Sequence, residues 1–295
     1  MTTIRKRRVK GKIYHYLEHS TREGDKVQKK EIYLGTKIPN NINEIKQRLL
    51  DDIYRKKWYA DIDKISKNYA KNQKMMPESV REKEIEIFAT DFTYDTQRIE
   101  GSTLTHKETA DLLERGISPG NKPMRDVQEA QNHRDLFFDI LKSNKDISLQ
   151  EVLDWHWRLF NKTKPGIVGK TRKYQVKISG SRFTPPSPVE IFPMLTEFFQ
   201  WYNKNKNKVH PVEIAAVAHL KFVTIHPFGD GNGRISRLVM NFILGRKKYP
   251  MLDIPYEYRS SYYNALERSQ MKKNDRIFLQ WFVKRYIKEY KRYLR

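Results

Sequence analysis

Twelve consecutive residues gather the groups most able to do chemistry: His226-Pro227-Phe228-Gly229-Asp230-Gly231-Asn232-Gly233-Arg234-Ile235-Ser236-Arg237. Gly231-Asn232-Gly233 places backbone N–H groups at the start of a helix. There the positive end of the macrodipole lies, and small residues let a phosphate come close. Arg234 and Arg237 are three apart and share a helix face. Two forked guanidiniums beside such a nest suit a polyphosphate, because each binds oxygens in pairs. Asp230 supplies the hard oxygen that Mg²⁺ on a phosphate requires. His226, with an ordinary pKa of about 6.5, can accept a proton near neutrality. A glycine turn with solvated arginines is the plainer alternative. A base, a hard ligand, a nest and two arginines in one short run argue instead for nucleotide chemistry.

The same run resembles the signature of Fic proteins (Fido fold) at every signature position, and the likeness extends over roughly residues 80 to 250. The resemblance implies a mainly α fold: a Fic/Fido helical core with a flap hairpin. It implies an adenylyltransferase that moves AMP from ATP to Ser, Thr or Tyr hydroxyls of an as yet unnamed target protein. On that reading His226 is the general base and Asp230 holds Mg²⁺. Gly231, Asn232 and Gly233 form the anion hole, Arg234 and Arg237 bind the β- and γ-phosphates, and Phe228 packs in the core. Thr96-Gln97-Arg98-Ile99-Glu100-Gly101 resembles the inhibitory-helix motif of one Fic class, through Thr96, Glu100 and Gly101. In that class the glutamate pairs with the second arginine, here Arg237, and blocks productive ATP binding. A carboxylate at a helix C-terminus is disfavoured by the macrodipole, and a cation partner offsets this. Lys173–Gly180 with Phe183-Thr184-Pro185-Pro186 resembles the flap, and Val176, Ile178 and Gly180 are expected to dock the target backbone by strand addition. Removal of AMP, with Glu100 positioning water, is an alternative activity. A homodimer is an assembly the resemblance allows.

The elements that must position these residues are legible in outline. Ile214, Val217, Ala218, Phe222 and Ile225 line a helix before the loop, and Ile235, Leu238, Val239, Phe242 and Ile243 line one after it. Glu82 to Glu100 reads as a helix ended by Gly101 as its C′ glycine. Thr105 with Glu108, and Ser148 with Glu151, are capping-box signals for the next helices. Helices are further expected over about 125–142, 188–203, 260–271 and 275–293, and Tyr174 to Ile178 alternates as a strand. His156 and His219 are expected to be packed in helices, and His106 and His133 to be solvated.

Residues 1–38 read differently. Lys12 to His19 and Lys26 to Leu34 are extended runs around the turn signal Glu23-Gly24-Asp25, which predicts a basic β-hairpin appendage. Residues 39–80 follow as a helical arm or linker, with Ile45, Leu49, Ile53 and Trp58 at helical spacing. Residues 81–250 are the expected core with its inhibitory helix at 82–101, and 251–295 the C-terminal helices.

The absence of cysteine excludes disulfides and thiolate metal sites, and fits a reducing, cytoplasmic setting. No apolar run reaches 18 residues, so no membrane span is expected. A net charge of +23 suits anionic substrates, acidic surfaces or nucleic acid. Arg5 to Lys10 with Tyr14, Tyr16 and Tyr33 makes nucleic acid an alternative partner of residues 1–38, though no named nucleic-acid motif is present.

Overall fold

The structure, a computed structural model, describes residues 2–23 and 26–295. The chain forms two compact units, Met1–Asp63 and Lys64–Arg295.

In the first unit three antiparallel strands run in sequence order: β1 (Thr2–Val9), β2 (Lys12–Glu23) and β3 (Lys26–Gly35). The sequence predicts two strands; the structure has three. The basic run Arg5 to Arg8 lies outside the two extended runs read from the sequence, yet it pairs along its whole length with Tyr16 to Ile13. It is the exposed edge of the sheet, where charged side chains are tolerated on both faces. Lys10 and Gly11, both at positive φ, make the tight turn that joins it to β2. Of the expected Glu23-Gly24-Asp25 turn, Gly24 and Asp25 lie outside the described residues. Helix α1 (Ile42–Met75) begins in this unit. Its Leu49, with Ile45 and Ile53, closes over Leu17 and Leu34 on one face of the sheet.

The second unit is helical among its described residues: α2 (Glu78–Ile99), α3 (His106–Arg115), α4 (Met124–Lys142), α5 (Leu149–Phe160), α6 (Pro188–Asn205), α7 (Pro211–Ile225), α8 (Asn232–Arg246), α9 (Arg259–Lys272) and α10 (Asp275–Glu289). α7 and α8 are packed together at its centre and are buried nearly all round, as helices apolar on every side must be. α2, α4 and α5 pack against α8, and α6 and α10 against α7. The Thr105–Glu108 capping box is formed in both directions. Ser148 accepts from the Glu151 N–H, but the reciprocal half is missing because Glu151 turns to Lys145 (2.8 Å). α2 ends as expected: Gly101 takes φ +97° and the Ser102 N–H donates to Gln97 O (3.0 Å).

Two expectations fail here. Tyr174 to Ile178 is not in a strand ladder; it belongs to an irregular segment that turns at Ile178–Ser181 (3.2 Å). His133 is not solvated. It lies on the buried stripe of α4, fully enclosed, with Nδ1 2.8 Å from Thr93 Oγ1 and its ring against Phe92. Among the described residues no helix is long and apolar enough to cross a membrane.

Candidate active site

α7 ends at His226, which adopts a left-handed conformation (φ 51°, ψ 55°). That region is sparsely used by non-glycine residues, and such strain tends to collect at functional sites. His226 Nδ1 lies 3.2 Å from Val223 O. A carbonyl only accepts, so Nδ1 carries the proton and Nε2 keeps its lone pair. Burial, and then the nearby Arg172 charge, push the His226 pKa below its ordinary value.

The loop from His226 to Gly231 is clamped by its own side chains. Asn232 Oδ1 accepts from Phe228 N (2.8 Å) and its amide donates back to Phe228 O (2.9 Å). Phe228 is buried and stacks on His156 at 3.9 Å. His156 accepts from Gly169 N (3.0 Å) and donates to Asp230 O (3.1 Å), so it ties α5 to the loop. Gly231 caps α8 at φ +82°, and a Cβ there would stand 2.3 Å from the Phe160 ring.

Asp230 lies under three donors. Its carboxylate accepts from the Gly231 N–H (2.5 Å), from Arg234 (3.1 Å) and from Lys164 Nζ (2.7 Å). Burial pushes its pKa up, but Arg234 and Lys164 outweigh this and hold it well below the usual carboxylate range. The Gly231 N–H, expected to be free in the anion nest, is therefore engaged by Asp230. The first-turn N–H groups that follow, from Asn232 and Gly233 onward, have no intrahelical acceptor.

Both arginines are deeply buried and held from several sides. Arg234 pairs with the carboxylate of Glu129, donates to Gln97 Oε1 (3.0 Å) and lies over the Phe160 ring at 4.4 Å. Glu129 in turn takes Lys164 (2.8 Å). Arg237 is 1 % exposed. Its Nε donates to Thr96 Oγ1 (2.6 Å), and one Nη donates to both Thr96 O (3.1 Å) and Glu100 Oε1 (2.7 Å). The other Nη is 3.4 Å from the Tyr262 hydroxyl, which is itself 2.9 Å from His219 Nε2. Glu100 thus meets Arg237, the partner the motif implies, Thr96 joins it there, and Gly101 provides the turn that follows Glu100. Glu100 also lies over the start of α8: a Cβ on Gly233 would be 2.1 Å from Glu100 Oε1.

Val176, Ile178 and Gly180, the residues expected to dock a target from a flap, lie in the irregular segment after Arg172 and in no strand. Arg172 fixes its base. This buried guanidinium donates to His226 O (2.9 Å), Tyr174 O (2.9 Å) and Pro186 O (2.6 Å), and its backbone N–H donates to Pro227 O (2.9 Å). Arg172, Glu129, Lys164, His156 and Tyr262 all belong to the site, and none stands out in the sequence.

Three histidines beside the site stay neutral. Burial, with the charges of Arg237 and Arg234, lowers His133 to about 3; burial and Arg237 lower His219 to about 3; burial lowers His156 to about 4. The unfolded chain, with its histidines near 6.5, binds protons that the folded chain refuses. Stability present above about pH 6.5 should therefore be lost progressively as pH falls toward 4, by up to about 1.4 kcal/mol per pH unit for each histidine. Thermal unfolding followed from pH 7.5 to 5 should show a drop of several degrees per pH unit below 6.5, and a flat profile would count against these buried neutral rings.

Residues 146–244 match the Fic/DOC family. The chain is 36 % identical over 181 residues to the protein adenylyltransferase fic-1 of Caenorhabditis elegans, a match covering 59 % of this chain and 35 % of that protein. The chain thus spans about a third of the length of the curated relatives it matches. Among solved structures, a Fic domain containing signaling protein from Bacteroides thetaiotaomicron superposes with a TM-score of 0.72 at 26 % identity, covering 79 % of this chain and 95 % of the other. A fragment of C. elegans Fic-1 superposes with a TM-score of 0.70 at 29 % identity, covering 86 % of this chain and 77 % of the other.

Proposed function

We propose, from the premise that residues 146–244 form a Fic/DOC family domain, that this chain is a protein adenylyltransferase held in check by Glu100. The observation that carries the reading is the placement of Glu100 between Arg237 and the N-terminus of α8, where one carboxylate takes both the cation and the space of a nucleotide phosphate. In the reaction a target hydroxyl attacks the α-phosphorus of ATP, His226 Nε2 takes the hydroxyl proton, and pyrophosphate leaves. Arg234 and Arg237 carry charge to meet the β- and γ-phosphates, and the first-turn N–H groups of α8 meet the phosphate oxygens. Asp230, ionised and the sole carboxylate of the loop, is the residue that would hold Mg²⁺ together with the nucleotide's phosphates. The ion would neutralise charge on the departing pyrophosphate. One carboxylate plus phosphates suits Mg²⁺, which keeps much of its own water.

The test is incubation with Mg²⁺ and ATP labelled at either the α- or the γ-phosphate, with label read on this chain and on added proteins. The α-label should be transferred and the γ-label should not. Transfer of the γ-label would indicate phosphate donation. No transfer in the Glu100→Gly chain, with its fold intact, would end the adenylyltransferase reading.

Arg237 gives a separable expectation. In the Glu100→Gly background, Arg237→Ala should weaken ATP binding by about 1.5–3 kcal/mol, the worth of a charge-assisted bond, or roughly 10- to 100-fold in Kd. AMP, which lacks the terminal phosphates, should bind nearly as before. Calorimetry with both nucleotides decides it: equal losses would remove Arg237 from the terminal phosphates.

A further inference from the structure

The first unit has one face of its sheet covered and one open. α1 closes the face of Leu17 and Leu34. The opposite face, fixed by the strand register, presents Arg5 and Arg7 from β1, Tyr14 and Tyr16 from β2, and Tyr33 from β3. Tyr33 is 55 % exposed, and its ring is 5.4 Å from Tyr16 and 6.0 Å from Tyr14. Arg7 lies over the Tyr16 ring at 4.4 Å. The same register sets Glu18 and Glu31 on this face: Glu18, only 7 % exposed at its side chain, takes Arg5 at 2.8 Å and Arg7 at 3.2 Å, and the half-exposed Glu31 also binds Arg7. Two half-exposed guanidiniums are thus held in place by neighbouring carboxylates.

The charge around this face is not an even share of the whole. Residues 1–38 hold eleven Lys and Arg against four Asp and Glu, so about an eighth of the chain carries +7 of the +23. Lys10 in the β1–β2 turn, Lys12 and Lys29 rim the open face, whereas Lys6, Arg8 and Lys30 leave the outer strands on the Leu17 side; all six are exposed. None of the six forms an ion pair among the described residues. The outer strands of a three-stranded sheet are about 10 Å apart. The major groove of duplex DNA is about 12 Å wide and walled by two phosphate strands, whereas that of duplex RNA is too narrow for side chains to read.

We propose that the open face of β1–β3 docks in the major groove of duplex DNA, with Arg5, Arg7 and the tyrosines toward the groove floor and the rim cations on the phosphates. The proposal is independent of the nucleotide site, which uses none of these residues.

The experiment is fluorescence anisotropy of a labelled 20-base-pair duplex with the intact chain at about 0.05 to 0.2 M salt. Binding should be micromolar near physiological salt and weaken steeply as salt rises. Substituting Lys10, Lys12 and Lys29 together by alanine should cut affinity at least tenfold and reduce the log–log salt slope by about 2–3. Tyr33→Ala should weaken binding while leaving that slope unchanged. All four side chains are exposed, so folding is expected to survive, and circular dichroism with a melting curve verifies it. The proposal is overturned if the wild-type chain does not bind. It is also overturned if the triple variant binds with unchanged affinity and slope, which would place binding elsewhere on this basic chain. A single-stranded 20-mer or duplex RNA bound more tightly than duplex DNA would likewise overturn it.

Discussion

His226→Ala should lower AMP transfer by about 10²–10⁴, the usual worth of a positioned general base, while ATP binds nearly as tightly as before. His226 is placed to act on a proton. Its Nδ1 is spent on Val223 O, which leaves Nε2 as the basic nitrogen. The phosphate-directed groups, Arg234, Arg237 and the start of α8, are held by Glu129, Gln97 and Thr96 and owe nothing to the imidazole. Because burial lowers its pKa, the ring should stay neutral and basic to below about pH 6.5. The wild-type rate should therefore be level above that pH and fall as pH drops through the lowered value, and the variant should lack this acid limb. Alanine is strained at the left-handed φ of residue 226, whereas asparagine tolerates it. His226→Asn separates lost chemistry from loop distortion. If either variant, folded and binding ATP, labels targets at the wild-type rate, proton transfer lies elsewhere.

Much of the architecture could be read from the chain because local signals and tertiary demands agree. The stripes on α7 and α8, the Thr105–Glu108 box and the glycine after α2 each satisfy a local rule and the global packing at once. Ile45, Leu49 and Ile53, at the helical spacing read from the chain, form the face of α1 that meets the sheet. The misses have physical reasons. β1 is an edge strand whose side chains face solvent, so its pairing leaves no hydrophobic alternation to detect. His133 shares the spacing of Val127, Ala130, Leu136 and Phe137, and its polar type masks the core position that this spacing gives it. Tyr174 to Ile178 has the alternation of a strand without a partner strand, and alternation alone does not supply one. Glu129, Lys164 and Arg172 meet the motif loop across 54 to 105 residues of sequence, and a lone charged residue in a charge-rich chain carries no mark of its future partner.

Glu100→Gly should raise AMP transfer strongly, on the order of 10²-fold or more. Arg237 has two anionic partners available. One is the Glu100 carboxylate, tethered 2.7 Å away; the other is a phosphate that must come from solution. The tethered group wins while it is present, and it also lies over Gly233, so ATP can enter only in a pose that gives up both Arg237 and part of the α8 N-terminus. Such a pose does not bring the α-phosphate in line with a target hydroxyl, and positioning with preorganised charge is most of the catalysis in transfers of this kind. Loss of a single preorganised donor typically costs 10²–10³ in rate, so restoring one should return about as much. The release need not disorder Arg237, because Thr96 holds it independently through Oγ1 (2.6 Å) and its carbonyl (3.1 Å). Glu100 itself sits at φ −89°, which any residue adopts, so glycine is not required by the backbone and Glu100→Ala should behave alike. Thr96→Ala makes the contrast: it loosens Arg237 without removing the competing anion, and should not activate. The measurement is initial label incorporation from α-labelled ATP for the three variants at matched ATP occupancy, with release of label from a pre-modified target followed in parallel. If Glu100 instead positions water for AMP removal, Glu100→Gly should abolish that release. Unchanged incorporation in Glu100→Gly, with ATP bound and the fold intact, would show that the Glu100–Arg237 pair is structural and that inhibition does not operate through it.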